Sequence, residues 1–106
     1  MKKMEFNDII NEFRCNPRDV STAPIKNTIS KLFYVYVQRN DVYIASGRSH
    51  TNICSISTDR RLKPSELQVM LDLYKRRKDG IPVSKEATKQ SVNQSYWFGI
   101  FKEMSA

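Results

Sequence analysis

Lys31-Leu32-Phe33-Tyr34-Val35-Tyr36-Val37-Gln38-Arg39-Asn40-Asp41-Val42-Tyr43-Ile44-Ala45 reads as a β-hairpin. Lys31 to Gln38 is rich in aromatic and β-branched residues, which suit a pleated, half-buried surface. Arg39-Asn40-Asp41 makes the turn, because Asn and Asp bond their own backbone and tolerate positive φ. Val42 to Ala45 returns as a second strand. After a further turn at Gly47-Arg48-Ser49-His50, the run Asn52-Ile53-Cys54-Ser55-Ile56-Ser57 alternates polar and apolar, as a half-buried third strand does. Three meandering strands are stable when something covers one face.

The flanking segments supply that cover. Met4, Phe6, Ile9, Ile10 and Phe13 lie near helical spacing, which predicts a short amphipathic helix over 4–14. Asn16-Pro17 ends it, since the residue before a proline is pushed out of the α region. Residues 15–29, with Pro17, Ser21, Thr22, Pro24 and Asn27, read as a loop or extended linker. Downstream, Lys63-Pro64-Ser65-Glu66 suits a helix start. Leu67, Met70, Leu71 and Tyr74 then form one apolar face, and Gly80 supplies the stop. Pro82 to about Gln90 is a shorter helical segment. Asn93 can cap a final helix holding Tyr96, Trp97, Ile100 and Phe101 and ending near Met104. The expected class is α+β in a single domain over 1–106. It has an N-terminal helix and linker over 1–30, a three-stranded antiparallel β-meander over 31–58 and a three-helix unit over 59–106.

A chain of 106 residues is one ordinary domain and can bury a core without disulfides or metals. With 40% hydrophobic and 27% charged residues, it belongs with folded rather than disordered chains. The longest apolar run, Leu32 to Val37, is too short to span a bilayer. Met1 to Asp8 has basic residues with no apolar stretch behind them, so it is no signal peptide. The expectation is a cytoplasmic protein in which Cys15 and Cys54 are free thiols. The formal net charge of +7 favours polyanionic partners: nucleic acid first, an acidic membrane surface or acidic protein after that.

Residues 59–101 carry a more specific signal. Asp59-Arg60-Arg61-Leu62-Lys63-Pro64-Ser65-Glu66 leads into a helix ending at Gly80. Ser84-Lys85-Glu86-Ala87 and Ser91-Val92-Asn93-Gln94-Ser95-Tyr96-Trp97-Phe98-Gly99-Ile100-Phe101 follow. This layout resembles the trihelical helix-turn-helix domain of serine recombinases (resolvases and invertases) and related transposases. The resemblance implies a small residue, Ala87, at the helix crossing and Val92 as the plug of the turn. Trp97 and Ile100 would face inward, while Gln94, Ser95 and Phe98 look out to the major groove. Arg60 and Arg61 would form an extended basic arm in the minor groove. The chain departs from the family pattern with Ser91 in place of Gly, Glu86 and Gln90 in place of apolar residues, and Gly99 where a base-reading Arg is often found. The recombinase catalytic domain is absent, so no recombinase activity is implied.

Tyr96-Trp97-Phe98 offers a second route to the same partner, because an exposed ring beside Lys and Arg can stack on an unpaired base. Packing of all three, one in the helical core and the others on the meander, is the plainer expectation. Lys75-Arg76-Arg77-Lys78 is favoured at a helix C-terminus by the helix dipole and could also hold phosphates.

Catalytic chemistry is not readable. His50 with Cys54 and Cys15 lacks the ligand number and spacing of structural zinc. Phe33 to Gly47 faintly resembles the GIY-YIG nuclease pattern, but the first Gly and the metal-binding Glu are missing. Alternating tyrosines in a hairpin are more often cross-strand packing pairs. The glycines Gly47, Gly80 and Gly99 form no phosphate-cradling loop, and the carboxylates show no paired pattern.

The expectation is therefore a non-enzymatic, cofactor-free nucleic-acid-binding protein, DNA before RNA, of the regulator or accessory-factor type found in phages and mobile elements. Arg60 and Arg61 would grip the minor groove or backbone. Gln94 and Ser95 would touch bases, Tyr96 could stack, and Lys75, Arg76, Lys85 and Lys89 would hold phosphates. A homodimer is compatible with this. The rival is a protein-interaction module, such as a small inhibitor of a host protein, that works through the meander and exposed aromatics.

Overall fold

The hairpin forms where the aromatic and β-branched residues put it. In a computed structural model, which describes residues 4–22, 30–49, 51–80 and 93–104, β2 (Leu32–Gln38) pairs antiparallel with β3 (Asp41–Ser46). Positive φ falls on Arg39, at 59°, rather than on Asn40 or Asp41. The turn is anchored from outside: the Arg14 guanidinium donates to the Arg39 carbonyl at 2.7 Å and to Asn40 Oδ1 at 2.8 Å.

Two further strands complete the sheet in the order β1-β2-β3-β4, all antiparallel. Both correct the expected meander. β1 (Arg18–Ser21) lies in the segment read as a linker, and its Val20 sits opposite Phe33 in the core. The run 52–57 is not a strand. It makes a single parallel bridge, Ile53 to Leu32, with Leu32 N donating to Asn52 O and Cys54 N to Leu32 O, both at 2.7 Å. Arg60 and Arg61 hold the edge beside Tyr43 and Ile44 that this run would need, and Gly47, just past β3, lets the run approach Leu32 instead. A Cβ at Gly47 would collide with the Leu32 carbonyl oxygen and the Ile53 side chain. The chain turns away at this point, and 52–54 takes up the hydrogen-bonding edge of Leu32. β4 is instead the two residues Arg60–Arg61, opposite Ile44 and Tyr43.

Alternation along β2 and β3 sorts the two faces. Phe33, Val35, Val42 and Ile44 point inward and are fully buried, while Tyr34, Tyr36 and Tyr43 lie on the outer face and are half-buried. The inner face is covered by helices. α1 (Phe6–Cys15) buries Ile9, Ile10 and Phe13 against β2 and β3. At its start a capping box forms, in which the N-cap residue Glu5 donates its amide to the Asp8 carboxylate at 2.8 Å. Asn16 ends the helix in front of Pro17 as expected.

A 3₁₀ turn, Pro64–Glu66, opens α2 (Leu67–Lys78). Leu67, Met70, Leu71, Leu73 and Tyr74 of α2 are buried, and Gly80 takes φ 84° just past its end, a position where a residue with a Cβ would be strained. The last helix, α3 (Gln94–Glu103), packs on both α2 and β1. The expected middle helix over 82–90 lies outside the described residues, so the three-helix unit is represented by α2 and α3. No helix among the described residues is long and apolar enough to cross a membrane.

Candidate nucleic-acid interface

α3 is not a protruding element. Trp97, Phe98, Ile100 and Phe101 are each fully buried, which corrects the expectation that Phe98 looks outward with Gln94 and Ser95. The physical cause is the sheet. Its inner apolar face needs more cover than α1 provides, and α3 supplies the remainder at β1. Trp97 packs against Phe6 and Phe101, while its indole N–H donates to Glu66 Oε1 at 3.2 Å. Phe98 packs against Tyr74. Tyr96 meets Phe33 edge-on at 4.9 Å. Trp97 and Phe98 are thus packed in the core, while Tyr96 is half-buried. Gln94 and Ser95 are half-buried, and Gln94 Oε1 is enclosed.

The basic arm is not extended but paired into the sheet, with both arginines exposed. Arg60 and Arg61 form β4, and because neighbouring strand residues point to opposite faces, their side chains diverge. Arg60 turns to the helical side, where Nη1 donates to Asn93 Oδ1 at 3.1 Å and the guanidinium lies 5.8 Å from the Tyr96 ring centre. Asn93 stands at the N-cap of α3, but its side chain makes no capping bond. Arg61 turns to the outer face, 3.6 Å from Asp41.

Several other cations among the described residues pack within the protein. Lys75 is exposed on α2. Arg76 pairs with Asp72 one turn earlier at 2.9 Å, and Arg77 and Lys78 lie over the rings of Phe98 and Tyr74. Arg18 bridges Glu12 and Glu103. Lys85 and Lys89 lie outside the described residues, as does His50. Cys15 is exposed and Cys54 half-buried, both as free thiols. Burial pushes the Cys54 thiol up, against the opposing influence of Lys31 and a hydrogen bond with Tyr96.

What the fold does bring together is a row of rings on the outer sheet face. Tyr36 and Tyr43, directly opposite each other, stack with centres 5.4 Å apart and planes 14° from parallel. Tyr34 follows Tyr36 at 6.0 Å. Arg48 lies over Tyr34, 4.1 Å from its centre, and Arg61 stands opposite Tyr43 in the register. The buried residues of α1 lie on the opposite, inner face, while the three tyrosines are half-buried.

Three carboxylates border the row, and each has a partner. Asp19 accepts from the amides of Arg48 and Ser49, both at 2.9 Å, and from the Ser49 hydroxyl at 2.6 Å. Burial would raise its pKa, but these bonds together with the Arg48 charge outweigh it and hold the carboxyl below its ordinary value. Asp41 faces Arg61. Asp59 accepts from the Tyr36 hydroxyl at 2.5 Å, which, with burial and the Asp59 charge, pushes the Tyr36 pKa up to about 12.

From the sequence, Tyr34, Tyr36 and Tyr43 read as cross-strand packing pairs, as a faint nuclease-like pattern or as part of an interaction surface on the meander, and Arg48 reads as a turn residue. Their alternation was visible, but which face the helices would leave uncovered was not. Comparison with protein families, with curated proteins and with solved structures finds no match to this chain.

Proposed function

We propose that the protein binds nucleic acid, with DNA the first partner to test, and that the outer sheet face is its contact surface. The observation that carries this reading is the row Tyr34, Tyr36 and Tyr43 set between Arg48 and Arg61 on a chain of formal charge +7. A cationic protein gains affinity for a polyanion by releasing condensed counterions. Aromatic rings beside arginines then add contacts that a phosphate backbone alone does not supply. Lys75 and Arg76 remain candidates for peripheral phosphate contact.

The test is fluorescence anisotropy with labelled oligonucleotides at two salt concentrations. Affinity should fall steeply with salt. Replacing Arg48 and Arg61 by Gln should flatten the log–log slope by about 0.7–0.9 for each phosphate contact removed, with the fold intact by circular dichroism. No binding of any duplex or single strand at low salt would sink the reading. The same tyrosines favour one other reading, a protein-interaction surface, because Tyr and Arg are enriched at such interfaces. Retention of one protein after nuclease treatment, with no oligonucleotide binding, is the result that would favour it.

A further inference from the structure

We propose that the tyrosine row is a stacking platform for a segment of single-stranded DNA. The inference rests on the nucleic-acid reading above and narrows it to strands whose bases are unpaired. In a duplex the base faces are occupied by their own neighbours. Only an unpaired base has a free face to lay against a protein ring. The three rings here are placed by β-sheet register rather than by a loop. Tyr34 and Tyr36 share β2, and Tyr43 stands across from Tyr36 on β3, so their spacings of 6.0 and 5.4 Å are set before any ligand arrives. The Tyr36 hydroxyl is tied to Asp59, which holds the middle ring in place.

Charge points the same way. The carboxylates around the row are engaged within the protein: Asp19 by the 48–49 turn, Asp41 by Arg61 and Asp59 by Tyr36. The Arg48 guanidinium makes no ion pair among the described residues, and its central carbon lies over Tyr34, 4.1 Å from the ring centre. A planar guanidinium at the end of a ring row can stack on a base and meet the next phosphate at once. Phe98, the aromatic that a helix-turn-helix reading would turn outward, is fully buried and presents no face to a base.

The experiment uses the full chain and compares an oligothymidylate of about 12 nucleotides, within the span of a single-strand-binding domain, with a duplex and an oligouridylate of the same length. The single DNA strand should bind about tenfold or more tightly than the duplex at equal salt. Tyr43→Leu should weaken single-strand binding about tenfold, the loss expected for one stacked base, while the salt slope stays unchanged. Tyr43→Phe, which keeps the ring, should bind as the parent does. Tyr34→Leu, on the other strand of the hairpin, should repeat the loss, and so serves if Tyr43→Leu does not fold. Equal binding of single strand and duplex, with no loss in either Leu variant but weaker binding in Arg48→Gln and Arg61→Gln, overturns the platform and leaves the broader reading standing. Failure of every oligonucleotide to bind at low salt overturns both. A preference of tenfold or more for the oligouridylate overturns the assignment to DNA.

Discussion

Gly99 sits where α3 crosses the end of β1. A Cβ at that position would come to 2.5 Å from the Ser21 carbonyl oxygen and 3.2 Å from Thr22 Cα, backbone atoms that cannot swing aside. Although alanine is the better helix former, Gly99→Ala is expected to lower stability by about 1–3 kcal/mol through overpacking, with a fall in Tm of several degrees on thermal melting. Other residues tie stability to pH. Tyr36 keeps its proton more firmly folded, with a pKa of about 12, than unfolded, at about 10. Its contribution is whole below about pH 10 and is lost as pH rises toward 12. Burial raises Tyr74 and Tyr96 as well, so they add to the same alkaline limb. Asp19 has the opposite sign: its folded pKa lies below the ordinary value, so its contribution is present above about pH 4 and is lost as pH falls through the folded value. Tm measured against pH should decline at both ends. Tyr36→Phe should flatten the alkaline limb and Asp19→Asn the acid one. A parent Tm that is level from pH 10 to 12 would contradict the Tyr36–Asp59 bond.

At the scale of elements, α3 carries the main consequence. Phe98→Ala should destabilise the protein by about 3–5 kcal/mol in denaturant unfolding, whereas the same change on an exposed groove-reading face would stay within about 0.5 kcal/mol. The hairpin and α1 were legible because their signals are long and local: Leu32 to Val37 supplies consecutive strand formers, and Ile9, Ile10 and Phe13 mark one helical face. β1 was not. It is four residues behind a proline with one buried apolar side chain, Val20, and it forms because β2 offers it an edge. The alternation in 52–57 misled for the same reason in reverse: the hydrogen-bonding positions beside Tyr43 and Ile44 are filled by Arg60 and Arg61. Gly99 stands out in the sequence only as a departure from the helix-turn-helix pattern, not as the contact of α3 with β1.

For the molecule as a whole, the decisive arrangement is a sheet with helices on its inner face and tyrosines on its outer one. The α+β class and the positive charge could be read from composition and periodicity. The candidate surface could not, because it depends on which side α1 and α3 dock, and that is settled by the summed burial of residues far apart in the chain. The direct test is a heteronuclear NMR titration of the labelled protein with oligothymidylate at low salt. The amides of Tyr34, Tyr36, Tyr43 and Arg48 should shift together and saturate, while those of Trp97, Phe98 and Ile100 stay in place. Shifts gathered on α3, with the outer sheet face unmoved, would contradict the account.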